Sequence, residues 1–304
     1  MKKVIRIGTR DSELALWQAN DVKKKLDKLG HSTQLIPVKS DGDLELDQPL
    51  YSMGITGIFT KTLDVALLSN KIDIAVHSMK DVPTILPNGI AQAAVMKRAN
   101  QKDILIHKGL DFLNTEGIIA TGSLRRKAQW LNRYPLHEVV GLRGNVNTRL
   151  RKLEDNTWNA AIFAAAGLER LNILPENCTD LQWMVPAPAQ GAMMVVAKKE
   201  DIFCIEALTS LNHENTEICT KVERDFLKEL EGGCTAPIGA LATIEKEFLL
   251  FKGILLSLDG QQTIGVDKKI KLADATNFGK ACAREILTNG GKELMQDIKI
   301  RMSQ

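Results

Sequence analysis

Ile72-Asp-Ile-Ala-Val-His-Ser-Met-Lys-Asp-Val-Pro83 decides how the rest of the chain is read. The stretch opens as a short apolar run with alternating character. It ends with imidazole, hydroxyl, ammonium and carboxylate groups on His77, Ser78, Lys80 and Asp81. Pro83 has no N–H to give to a sheet and holds Val82 extended, so regular pairing stops there. A buried strand that delivers polar groups at its C-terminal end is how open α/β sheets build a site. The pattern therefore predicts a strand over 72–77 and a candidate site at Lys80 and Asp81.

Upstream, Val4 to Gly8 reads as a first strand, followed by Thr9-Arg10-Asp11-Ser12 and a helix to Leu29. Ala15, Ala19, Val22, Leu26 and Leu29 alternate steps of four and three, which makes one helical face. Asp11 or Ser12 can cap its start, and Gly30 suits its stop. Gln34 to Val38 reads as a second strand, 39–57 as a long polar connection, and Phe59 to Leu68 as a helix.

Downstream, strands are predicted at Gly89 to Met96 and Asp103 to His107. A second unit follows, with strands at Ile118 to Ala120, Val139 to Leu142 and Ala160 to Ala164. Its helices run from Leu124 to Asn132 and Val146 to Glu154, with a short one from Gly167. The turns Gly8-Thr-Arg-Asp-Ser12 and Ala120-Thr-Gly-Ser123 look alike. Each puts hydroxyls and free N–H groups at a helix N-terminus, a natural anion site. Two similar lobes facing one cleft are expected. After the turn-rich Pro186 to Gly191, the apolar Ala192 to Ala197 is expected to return to the first lobe's sheet. Helices near Ile202 to Leu211 and Thr216 to Leu230 then lead to Glu231-Gly-Gly-Cys234. Strands at Ile238 to Ile244, Phe248 to Leu256 and Thr263 to Ile270, then helices, suggest a small α+β domain.

At 304 residues, with 44% hydrophobic and 25% charged, the chain has room for two or three ordinary globular domains. A net charge of +3 is too small to imply nucleic-acid or membrane binding by the chain as a whole. Five widely spaced cysteines without a Cys-x-x-Cys argue against a disulfide framework or a zinc site and favour a reducing cytoplasm. Arg6, Arg10, Asp11 and Glu13 interrupt any signal-like apolar core, and the longest apolar run, near Ala160 to Leu168, is too short for a bilayer. With no coiled-coil seam, the expectation is a cytoplasmic monomer with no metal, membrane or nucleic-acid partner.

Asp81 can be read as an acid–base or cation-stabilising carboxylate, or as a turn residue capping local backbone. Lys80 can be a Schiff-base amine, a carboxylate clamp or a solvated group. His77 reads as a packing residue, because no second His or Cys sits at ligand spacing. The arginines say more. Between Thr121 and Lys152 lie Arg125, Arg126, Lys127, Arg133, Arg143, Arg149, Arg151 and Lys152 against only Glu138. Arg125-Arg126 start a helix, where a cation opposes the macrodipole. Arg143 and Arg149 flank another helix start, and Arg10 sits at the first lobe's equivalent turn. Cations at positive helix ends call for an anion, and arginine forks suit carboxylate or phosphate. A solvated basic face is the bland alternative. Phosphate-backbone binding is a third reading, disfavoured by 5% aromatic content. Cys234, after two glycines, is either a reactive or derivatised thiol or a small buried hydrophobe.

Taken together, several stretches resemble the porphobilinogen deaminase (hydroxymethylbilane synthase) family. They are Thr9-Arg-Asp-Ser-Glu-Leu-Ala-Leu-Trp-Gln-Ala19, Asp73 to Pro83, Ser123-Leu-Arg-Arg126, Leu142-Arg-Gly-Asn-Val146 with Thr148-Arg-Leu150, Ala166-Gly-Leu-Glu-Arg-Leu171, and Leu230-Glu-Gly-Gly-Cys-Thr-Ala-Pro-Ile-Gly239. They occur in the family's order over nearly the whole chain. The resemblance implies an α/β fold with two lobes like those of two-lobed solute-binding proteins and two chain crossings, plus a small α+β C-terminal domain. The domains would be 1–97 with 191–212, then 98–190, then 213–304.

It also implies the chemistry. Four porphobilinogens would be joined head to tail with loss of ammonia, on a dipyrromethane held through a thioether to Cys234, and released as hydroxymethylbilane. Asp81 would stabilise the cations formed and relay protons. Lys80, Ser78, Ser12, Thr121, Ser123, Arg125 and Arg126 would hold the cofactor. Arg10, Gln18, Arg143, Arg149 and Arg170 would bind porphobilinogen and the growing polypyrrole. Two departures stand out. The family's lysine-bearing Gly-Gly-Lys-Gly-Leu-Phe is here Gly54-Ile-Thr-Gly-Ile-Phe59, and Thr-Ser-Ser-Leu-Arg-Arg is here Thr121-Gly-Ser-Leu-Arg-Arg126. The competing reading from another class is a non-catalytic two-lobed binder of anionic or polycarboxylate ligands, which would need neither Asp81 nor Cys234.

Overall fold

A computed structural model of the chain describes residues 3–38, 60–230 and 236–303. Cys234 and the Gly54 to Phe59 motif lie outside the described residues. In order, the chain forms β1 (Val4–Thr9), α1 (Glu13–Lys28), β2 (Ser32–Pro37), α2 (Lys61–Leu68) and β3 (Ile74–Ser78), which runs into a 3-10 turn at Met79–Asp81. Next come β4 (Ile90–Val95), β5 (Asp103–His107), β6 (Ile118–Ala120), α3 (Leu124–Arg133) and β7 (Glu138–Val140). They are followed by α4 (Val146–Asp155), β8 (Ala160–Ala164), α5 (Ala165–Leu171) and β9 (Cys178–Asp180). The chain continues through β10 (Met193–Lys198), α6 (Ile202–Thr209), α7 (Glu214–Glu229), β11 (Ile238–Glu245), β12 (Phe248–Leu256) and β13 (Thr263–Lys271). It closes with α8 (Phe278–Ile286) and α9 (Lys292–Ser303).

The described residues divide into two compact units. One holds 3–38, 60–99 and 191–217; the other holds 100–190, 218–230 and 236–303. The first has a five-stranded sheet in the order β2-β1-β3-β10-β4. β1 runs parallel to β2 and β3, and β10 runs antiparallel to β3 and β4. The apolar run at Ala192 thus returns to this sheet, as its composition led us to expect. Val195, Val196 and Ala197 are all buried, the mark of a strand covered on both faces. Ala19, Val22 and Leu26 of α1 pack with Cys204 and Leu208 of α6 against Ile5, Ile7, Ile74 and Val76. On Gly8, an added Cβ would come 2.2 Å from Ile72 Cδ1 and 3.2 Å from Leu63 Cδ2, so the packing of Ile72 over β1 needs glycine there. The predicted strand over 72–77 starts two residues later than read. Asp73 instead turns its carboxylate to Arg6, accepting from the backbone N at 2.8 Å and from Nε at 2.9 Å.

The second unit has a five-stranded sheet in the order β7-β6-β8-β5-β9. β6 is parallel to β7 and β8, and β5 is antiparallel to β8 and β9. The two five-stranded sheets therefore match strand for strand, which is the likeness the paired turns had suggested. β9 was not foreseen; three residues show no alternation to read. The same unit carries an antiparallel sheet, β11-β12-β13, covered by α7, α8 and α9. Its core centres on Phe226 and Phe251, with ring centroids 5.1 Å apart. This sheet docks on α3. Ala128 clusters with Val185, Ile254 and Leu256, and Asn132 Nδ2 donates to the Gly260 carbonyl at 2.7 Å.

α8 lies directly on the backbone of α7. A Cβ on Gly279 would come 2.0 Å from the Val222 carbonyl oxygen. We expect Gly279→Ala to destabilise the chain by about 1–3 kcal/mol, the usual cost of overpacking. The shift in urea midpoint measures it, and an unchanged midpoint would show that the two helices can part without loss.

Candidate active site

In the first unit the connection leaving β1 runs to β2 on one side, and the connection leaving β3 runs to β4 on the other. The C-terminal ends of β1 and β3 therefore mark a topological switch point, where open α/β sheets place ligands. A pocket lies there. Its lining includes Arg10 and Ser12 after β1, Gln18 of α1, Thr60, His77 and Ser78 of β3, and Asp81 of the 3-10 turn. Gln18 is buried and donates from Nε2 to Ser78 Oγ at 2.8 Å, tying α1 to the end of β3. Ser12 occupies the N-cap position of α1 without a side-chain capping bond. Its hydroxyl is not spent on its own helix.

His77 packs in the strand as expected, and it also lines the pocket. Burial, and then the Arg10 guanidinium, push its imidazole down to about 4. It is neutral at physiological pH. Asp81 and Lys80 are half-buried on the turn, which Val82 N–H closes by donating to the Met79 carbonyl at 3.2 Å. Lys80 is not part of the pocket lining. The pocket therefore combines a guanidinium for an anion, a carboxylate for a developing cation, and neutral groups between them.

In the second unit, β6 ends in a turn where Thr121 Oγ1 accepts from the Ser123 backbone N at 3.3 Å. Ser123 caps α3 by accepting from the Arg126 backbone N at 3.5 Å. Arg125 and Arg126 follow, and both are buried. An anion from within the chain faces them. Asp103, at the start of β5, accepts from Arg125 Nη1 at 2.7 Å and from Arg126 Nε at 2.9 Å and Nη2 at 2.8 Å. Gln190 Nε2 donates to the same carboxylate at 3.0 Å. Burial alone would raise the pKa of Asp103; the two guanidinium groups outweigh it and hold it well below the usual carboxylate range. Asp103 and Gln190 were both missed in the sequence. Asp103 lies on a different strand from the arginines it pairs, and nothing local to it signals the partnership.

Gly122 explains one departure. A Cβ there would come 2.6 Å from the Leu142 carbonyl oxygen. The β6–α3 turn thus touches the β7–α4 turn, which carries Arg143 and Arg149. Asn145 caps α4 by accepting from the Thr148 backbone N at 2.9 Å, and Arg149 Nε donates to the Gly144 carbonyl at 2.7 Å. Gly144 has φ +111°, a conformation that favours glycine. Arg143 and Arg149 are half-buried, and Arg170 is half-buried in the last turn of α5. Cys234 lies outside the described residues. Among the described thiols, burial pushes Cys204 up to about 12 and Cys282 up to about 11, so neither is a ready nucleophile.

Comparison with known proteins groups the two five-stranded sheets together and sets the antiparallel β11-β12-β13 sheet apart. A family model described as "Porphobilinogen deaminase, dipyromethane cofactor binding domain" matches residues 5–206. A second, "Porphobilinogen deaminase, C-terminal domain", matches residues 217–288. Porphobilinogen deaminase of Trichlorobacter lovleyi is 41% identical over 302 residues, covering 97% of each chain. That of Moorella thermoacetica is 41% identical over 303 residues, covering 97% of this chain and 96% of its own. Among solved structures, the periplasmic VFT2 domain of BvgS from Bordetella pertussis aligns with 68% of this chain and 86% of its own, at a TM-score of 0.42 and 11% identity.

Proposed function

The chain belongs to the porphobilinogen deaminase family, and on that premise we propose how its residues divide the work. The reaction is a transferase reaction of tetrapyrrole biosynthesis. Porphobilinogens are condensed head to tail with loss of ammonia, on a dipyrromethane cofactor, and hydroxymethylbilane is released. The observation that carries the residue assignment is the pocket at the end of β3, where the Asp81 carboxylate, the Arg10 guanidinium and a neutral His77 line one space.

Arg10 pairs with a carboxylate of porphobilinogen, with Gln18 supplying a neutral hydrogen bond beside it, and Ser12 and Ser78 hold the cofactor. Loss of ammonia leaves a cation on the substrate, and Asp81 stabilises it. Asp81 then takes the proton shed from the ring α-carbon when the new bond is complete. A neutral His77 adds no competing positive charge beside that cation.

The second unit fits an anionic cofactor. Two buried guanidinium groups share one carboxylate, and Arg125 Nε is a buried donor without a partner. In this proposal Arg125, Arg126, Thr121 and Ser123 hold cofactor carboxylates, Lys80 clamps another, and Cys234 bears the thioether. When bound, the dipyrromethane supplies the terminal pyrrole on which the chain grows. Arg143, Arg149 and Arg170 take up carboxylates of the lengthening product.

We divide the chain into three domains, 1–97 with 191–212, 98–190 and 213–304; the separate antiparallel sheet supports the last. A cytoplasmic monomer completes the proposal. Among the described residues no helix is long and apolar enough to cross a membrane.

Purified protein incubated with porphobilinogen tests the reading. We expect consumption of substrate, appearance of hydroxymethylbilane, and an intact mass exceeding the chain's by two pyrrole units. An unmodified mass with no consumption would overturn it.

A further inference from the structure

β5 begins with a carboxylate that solvent does not reach: Asp103 is 0% exposed. It faces two arginines that follow one another in α3. Consecutive helical residues point roughly 100° apart, and neighbours in sequence do not face each other on a helix. α3 alone therefore cannot bring the Arg125 and Arg126 guanidinium groups to one place. The shared anion does.

Each oxygen of Asp103 has its own task. Oδ2 accepts from Arg125 Nη1 at 2.7 Å, and Oδ1 accepts from Arg126 Nε at 2.9 Å. Backbone also holds each guanidinium. Arg125 Nη1 also donates to the Val185 carbonyl at 2.7 Å, and Arg126 Nη1 donates to the Ile162 carbonyl at 2.9 Å. Gln129 holds Val185 in turn, accepting from its N–H at 2.7 Å and donating to its carbonyl at 3.0 Å. The carboxylate cancels one of the two positive charges. One positive charge remains, together with the buried donor Arg125 Nε, which has no acceptor.

A pair built only to hold β5 against α3 would need one arginine. The second makes the cluster cationic at the helix end where a cation is least favourable. That arrangement suits a site that awaits an anion.

We propose that Asp103 is a positioning residue for carboxylate binding, setting Arg125 and Arg126 together for an acidic side chain of the cofactor without touching it. The inference rests on the proposed role of those two arginines.

Asp103→Glu keeps the charge but moves the carboxylate by one methylene; Asp103→Asn keeps the shape and removes the charge. Both full-length variants are compared with the native chain in thermal midpoint, in the fraction bearing a two-pyrrole adduct by intact mass, and in KM and kcat for porphobilinogen. For Asp103→Glu we expect a modestly lowered midpoint, as for any methylene added at a packed site, with adduct fraction lowered, or KM raised, by up to about 10²-fold, the scale of an ångström's misplacement. Asp103→Asn should show the same defect in its folded fraction. Native adduct fraction and KM in Asp103→Glu would overturn the proposal. So would an Asp103→Asn protein that loses only thermal stability, or failure of both variants to fold. A native chain without adduct or turnover would instead defeat the assignment of the reaction, which the same mass spectrum reveals.

Discussion

Asp81→Asn is expected to lower turnover of porphobilinogen by about 10²- to 10⁴-fold, the range that a positioned acid–base group supplies, with the thermal midpoint unchanged. The substitution swaps one oxygen for nitrogen at constant shape. The 3-10 turn is closed by backbone, Val82 N–H to the Met79 carbonyl, so its geometry does not depend on the charge of Asp81. Two functions disappear together. An amide does not neutralise the cation left when ammonia departs, and it cannot take the proton released as aromaticity returns. Arg10 still binds the substrate carboxylate, so kcat should fall far more than KM rises. Steady-state consumption should be measured only on molecules whose mass shows the adduct, since adduct assembly is the same chemistry. Near-native turnover would remove Asp81 from the centre of the reaction.

Cys234→Ser should abolish both the adduct and the turnover. The attachment requires a nucleophile at neutral pH, and a serine hydroxyl is weak unless a base activates it. The remaining described thiols are poor substitutes. Cys204, Cys219 and Cys282 are buried, and burial raises Cys204 and Cys282 to about 12 and 11. Intact mass of the purified variant, before and after incubation with porphobilinogen, decides the point. A serine variant that still gains two pyrrole units would move the attachment elsewhere, with the half-buried Cys178 the first candidate.

The sequence revealed features written in short range. The end of β3 was legible because alternation, four polar groups and Pro83 follow one another within twelve positions. The two matching sheets were legible from a pair of similar turns, at Gly8 and Ala120, and from the apolar run at Ala192. What was hidden depends on distance in the chain. Asp103 looks like any strand-end carboxylate until folding sets it against Arg125 and Arg126. The arginines were read as calling for an anion, and for Arg125 and Arg126 folding supplies one from within the chain. Gly122 looked like a lost hydroxyl; only the approach of the Leu142 carbonyl shows why a side chain is excluded. β9 is too short to carry a period. Cys234 remained ambiguous on its own residues, and only the family resemblance gave its thiol a task.

β10 has a consequence for how the chain is born. The first sheet uses strands from residues 4 to 198, and its fourth strand is encoded only after residue 190. The second five-stranded sheet is encoded without interruption, from residue 103 to 180. At about 5–20 residues per second, roughly 5–20 s of synthesis separate the end of β4 from the arrival of β10. Through that interval the edge of β3 that will pair with β10 stands open, an adhesive template for other strands. The five-stranded sheet that emerges first is thus completed after the second one, and the strand bearing His77 and Ser78 waits for β10 before its site exists.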